Sequence, residues 1–194
     1  VNEPVNEPTP EQIWQNFHWA FFINTQGLII CLRRFEAFLL EANLPQAQIE
    51  LETATTLMLA SGAAMELAGS FSRQAYDQVV RPSMMPPHVQ SHDFSGLMSW
   101  EHAVLVQLWK SLRATFATMP TELQPTYQAF TAAYLTLAKS HRAVCQKFGG
   151  EEVGSLRFEN AHAVDAIDAF IRSRYQLINP GGEIPVYPKD SSEK

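Results

Sequence analysis

A chain of 194 residues, 46% of them hydrophobic, is long enough to bury a sizeable core and is most simply one domain. Its formal charge of −6 argues against sequence-independent nucleic-acid binding, which needs clustered lysine and arginine to displace counterions. Arg33, Arg34 and Glu36 interrupt the longest apolar run, so no membrane span is expected. Two cysteines are too few for a disulfide scaffold. The polar, proline-punctuated start does not resemble a signal peptide, and a reducing cytoplasm is the expected compartment.

Residues 1–8 read VNEP twice and predict a loose arm. Thr9-Pro10-Glu11-Gln12 then predicts a helix start, with threonine as N-cap, proline in the first turn and glutamine closing a capping box. The first long helix is expected over 10–43, with Trp14, Phe17, Phe21, Thr25, Leu28, Leu32, Phe35 and Leu39 along one face. Thr25 is the polar exception, and a buried threonine commonly returns its hydroxyl to the carbonyl one turn back. Pro45 opens a second helix to about Val80 with a possible break, its middle rich in small residues and followed by Gly69-Ser70. Glycine there costs on the order of 1 kcal/mol relative to alanine, offset by close approach of another backbone or of a flat ligand.

Residues 82–94 form a long irregular connection that carries His88 and His92. A third helix is expected over 95–118, with Leu97, Trp100, Val104, Leu108, Leu112 and Phe116 inward and Leu105 and Trp109 widening the face. Pro120-Thr121 opens the central helix and Gly149-Gly150 closes it. A last helix is expected over 159–175, followed by an extended tail over 176–194. No segment alternates with period two. The expected fold is therefore all-α: one domain over 9–175, a bundle of about five helices with long antiparallel members.

The central helix holds the residue of most interest. Leu123, Tyr127, Phe130, Tyr134, Leu137, His141, Val144 and Phe148 follow at alternating steps of four and three, which places all eight on one face. Two readings of the imidazole stand beside each other. A core histidine commonly donates to a carbonyl or carboxylate and does nothing more. Alternatively, burial keeps the ring neutral, with a nitrogen available to a metal or a haem iron. Cys145 lies one turn further on, but nothing in the sequence marks its thiol as reactive. His88 and His92 lack the carboxylate or cysteine that would complete a zinc pattern, and Glu159-x-x-His162 is a single pair where a di-iron bundle needs two.

Three separated segments resemble the tryptophan 2,3-dioxygenase family: Phe21 to Leu28, Arg81 with Phe94 to Ser99, and His141 to Val144 with Gly150, Gly154 and Ser155. The resemblance implies a haem b pocket enclosed by the long helices, with His141 as proximal iron ligand and Phe21, Ser95, Gly96 and Val144 against the macrocycle. Thr25 would stand on the distal side and Ser155 would meet the substrate amine. The implied activity is dioxygen-dependent oxygenation of an indole or related aromatic by a homo-oligomer. Thr25 replaces the family's distal histidine and Ala103 its carboxylate-binding arginine, so a substrate without the amino-acid carboxylate is expected. The rival expectation is a helical protein that binds haem or an aromatic without turnover.

Overall fold

A computed structural model describes residues 7–89, 99–149 and 163–183. The fold is all-α, and among the described residues there is no strand. The first helix, α1 (Pro10–Leu40), begins as its sequence requires: Thr9 Oγ1 accepts from Gln12 N, and Gln12 Oε1 accepts from Thr9 N at 2.9 Å. It turns into α2 (Leu44–Ala68), capped by Asn43. The second helix, expected to about Val80 with a possible break, does break after Ala68. A new start capped by Ser72 follows, with α3 (Arg73–Ala75), a π turn (Tyr76–Val80) and α4 (Arg81–Ser83) in succession.

Beyond the connection, α5 (Trp100–Ala117) is capped by Ser99, and a 3-10 turn (Thr121–Leu123) leads into α6 (Gln124–Gly149). The last helix is α7 (Ala163–Ile178). It runs past the expected end at 175, and Ile178 is fully buried, so the expected tail does not begin at 176.

The core lies where the predicted stripes meet. Leu32 and Phe35 of α1, Leu51 and Met58 of α2, Leu112 of α5, Phe130 of α6 and Ile171 of α7 are all shielded from water. Facing α7 from α6, Tyr127 donates to Ile178 O at 2.6 Å and Tyr134 to Ile171 O at 3.2 Å. The order of those two contacts makes the helices antiparallel. Phe116 stacks on Tyr127 while Trp109 meets Tyr134 edge-on, so α5 is antiparallel to α6 as well. In contrast, α2 runs parallel to α6, with Gly62 against Leu137, Glu66 against Ser140 and Gly69 against Val144.

The small residues of α2 serve this parallel contact. A Cβ on Gly62 would lie 3.3 Å from Leu137 Cα, and one on Gly69 would lie 2.9 Å from Val144 Cγ2. At Gly62 the close partner is therefore a neighbouring backbone, one of the two readings the sequence left open. Lys147 Nζ then donates to Gly69 O at 2.7 Å, tying the ends of the two helices together. One expected inward residue is not inward: Trp100, in the first turn of α5, is 74% exposed. The inward face of α5 runs instead through Leu105, Trp109, Leu112 and Phe116.

Candidate functional site

Three histidines gather at one end of the bundle. Contact between Trp109 and Tyr134 fixes the register of α5 against α6. Two turns back along α5 is His102, and two turns forward along the antiparallel α6 is His141, so the two stand at the same level. His18, on the first half of α1, completes the group. Burial pushes the His141 imidazole down to about 4, and the charges of His18 and His102 push in the same direction. His141 is thus neutral near pH 7. Among the described residues its ring has no hydrogen-bond partner, in contrast to the usual core histidine.

Backbone contact fixes the tautomer of His18. Its Nδ1 lies 2.7 Å from Trp14 O, and a carbonyl can only accept, so Nδ1 carries the proton. Burial lowers the His18 pKa as well, and the neutral ring keeps a lone pair on Nε2. His102 rests on the Phe170 ring of α7, with ring centroids 5.4 Å apart.

Aromatic side chains flank the cluster on the α1 side. The Trp14 ring is 4.1 Å from His18 and meets Tyr76, Phe71 and Phe148 edge-on. Tyr76 and Phe148 stack at 4.4 Å. These residues form a second small apolar cluster, separate from the main core and built on the π turn. On the α7 side, Arg142 Nε donates to Asp168 Oδ1 at 2.9 Å and holds α6 to α7 next to His141. Burial pushes the Cys145 thiol up to about 11, with the Asp168 carboxylate adding to it, so the sulfur stays protonated.

The other expected site residues fare differently. Thr25 is buried and donates to Phe21 O at 2.9 Å, the local back-bond its helix position favours, so that proton is committed to the backbone. Phe21 is half-buried against Phe22. Val144 is taken up in packing against Gly69. Ser95, Gly96 and Ser155 lie outside the described residues, as do His92, Glu159 and His162.

Two surface depressions stand out, one lined by Asp77, Arg81 and His88 and one by Arg33, Gln107 and Ser111. Neither is lined by His141. An enclosed haem pocket, expected from the resemblance, is not among the features of the described residues. No helix among them is long and apolar enough to cross a membrane.

His18 and His102 were not read from the sequence as partners of His141, although the signal was there. The steps 14, 18, 21, 25, 28, 32, 35 and 39 alternate strictly between four and three and pass through His18. The steps 102, 105, 109, 112 and 116 do the same through His102.

The family model described as SfmD 3-methyl-L-tyrosine peroxygenase matches residues 2–126. The chain belongs to that family. It is also 30% identical over 146 residues to the 3-methyl-L-tyrosine peroxygenase of Streptomyces lavendulae, an alignment covering 74% of this chain. The chain spans only 39% of that relative's length. No solved structure gives a significant match. The family match contains His18 and His102 and stops before His141.

While the coarser expectation of an oxygenase family acting on an aromatic agrees with these findings, they overturn the resemblance to the tryptophan 2,3-dioxygenase family. The segments behind it were short stretches of amphipathic helix and helix ends. Where those segments are described, ordinary helix chemistry accounts for the residues, as the Thr25 back-bond and the Val144 packing illustrate.

Proposed function

We propose that this chain carries a peroxygenase activity in which haem is held through His141 and a ring-hydroxylated aromatic amino acid takes up an oxygen atom from a peroxide. The observation that carries the reading is the neutral, half-buried His141 ring, which has no hydrogen-bond partner among the described residues and faces a second imidazole across the bundle. Membership of the peroxygenase family supplies the reaction class, and the relative's own substrate supplies the aromatic amino acid. Peroxide replaces the dioxygen expected from the sequence.

The donor set suits the group. Neutral imidazole is a good iron ligand, and His141 needs to lose no proton to act as one. His102, level with it on α5, is the second imidazole available on that side of the bundle. Bound there, haem b would supply peroxide activation and oxygen-atom transfer. The chain's own residues do the rest. Cys145, protonated, does not compete as a thiolate. Trp14, Tyr76 and Phe148 pack on one another beside His18 and exclude water there. Nε2 of His18 accepts a hydrogen bond from a phenol or a peroxide O–H. The ion pair between Arg142 and Asp168 keeps α6 from rotating His141 away from the site.

The test is the visible spectrum of the protein after haem addition. A Soret band is expected, and His141→Ala should abolish it; full haem content in that variant would refute the assignment. Acidified organic solvent should extract the haem, whereas haem retained on the polypeptide would mark a bond to Cys145. A second reading, haem or aromatic binding without turnover, draws on the same imidazole and the same aromatic cluster. Peroxide with L-tyrosine or 3-methyl-L-tyrosine separates the two, since only the enzyme yields a hydroxylated product.

A further inference from the structure

The π turn places two opposite charges beside a surface depression. Asp77 and Arg81 are four residues apart, a spacing at which such side chains usually pair. Here they do not. Asp77 leans back to Arg73, with an N–O distance of 3.8 Å, while Arg81 makes no ion pair among the described residues. The wider turn alters the local register, as expected where an i→i+5 bond interrupts a helix; Arg81 N donates to Tyr76 O. Both side chains line an open depression of about 380 Å³ that Pro82, Met85, Pro86, Pro87 and His88 also line. A half-buried guanidinium that makes no ion pair among the described residues is available to an anion, and its fork matches a carboxylate.

We propose that this depression binds the charged end of a free α-amino acid, with Arg81 on the carboxylate, Asp77 on the ammonium and Met85 with the prolines against the first carbons of the side chain. The proposal deepens the reading of the substrate as an aromatic amino acid and rests on it for the identity of the side chain. The depression adjoins the aromatic cluster: the Arg81 charge is felt at the Tyr76 phenol, and Tyr76 stacks on Phe148. Tyr76 is itself buried and stacked, so the aromatic cluster backs the depression without lining it, and the carbons of an anchored side chain would lie against Met85 and the prolines. Neither Asp77 nor Arg81 contributes to the main core, so substitution there spares the fold.

Calorimetric titration of the haem-loaded chain with three ligands tests the idea: L-tyrosine, tyramine, which lacks the carboxylate, and 3-(4-hydroxyphenyl)propionate, which lacks the ammonium. L-tyrosine should bind about ten- to a hundredfold more tightly than tyramine, the range expected for a charge-assisted contact. Arg81→Gln should erase that advantage and leave tyramine unchanged, while Arg81→Lys restores part of it. Asp77→Asn should bring L-tyrosine down to the propionate. Equal affinity of the three ligands for the unaltered chain, or an Arg81→Gln variant that retains the L-tyrosine preference, overturns the proposal. The same titrations on the chain without haem keep this test apart from the haem assignment: a missing Soret band with the zwitterion preference intact removes haem and leaves this site standing.

Discussion

Two stretches of α6 carry the same spacing and differ in how their polar atoms are satisfied. In the first half, Tyr127 and Tyr134 present hydroxyls to the core, and both find carbonyls on α7. In the second half, His141 occupies the equivalent face and has no such partner among the described residues, while two further imidazoles stand close enough to disfavour its charge. Side-chain pattern alone cannot separate the two halves. What differs is the polar partner: the two tyrosine hydroxyls have carbonyls on α7, and the half-buried His141 ring has none among the described residues.

The contrast can be broken at several points. Phe130, fully buried in the first half, should be the costliest position. Phe130→Ala should destabilise the protein by about 3–5 kcal/mol, the range for emptying a tightly packed aromatic site, read from chemical denaturation. Tyr127→Phe removes the donor to Ile178 O and strands a buried carbonyl, for a loss of about 1–3 kcal/mol by the same measurement. Loss of the Thr9 cap is milder, with Thr9→Ala lowering stability by about 1 kcal/mol.

His141→Phe should cost least at neutral pH in the haem-free protein, since no hydrogen bond among the described residues is broken; its signature is in the pH dependence. The folded ring sits at about 4 against 6.5 for the free side chain, so between those values the unfolded chain binds a proton that the folded chain does not. The contribution is complete above about pH 6.5 and is lost as the pH falls towards 4. Thermal melts across that window should fall more steeply with acid for the wild type than for His141→Phe, and parallel curves would sink the burial argument.

Much of this was legible in the sequence. The Thr9 capping box, the stripe on α6, the Thr25 back-bond and the all-α class follow from local chemistry that operates within a turn or two of helix. The break after Ala68 was visible only as a Gly69-Ser70 pair inside a helical pattern, and the parallel contact of α2 with α6 that fills it is tertiary. Trp100 is hydrophobic yet exposed because it sits off the stripe that His102 shares with Leu105 and Trp109. The meeting of His18, His102 and His141 required knowing which helices are neighbours, and three stripes read one at a time do not contain that.

The last turn of α7 bears on where the chain can be trimmed. Ile178 fills the end of the bundle away from the histidines, and its carbonyl serves the hydroxyl of a tyrosine on another helix. A stop codon or a protease acting just before that turn would remove no loose tail. It would uncork the distal end of the protein while leaving every histidine in place, and the loss of ligand binding that followed would be mistaken for damage to the site itself.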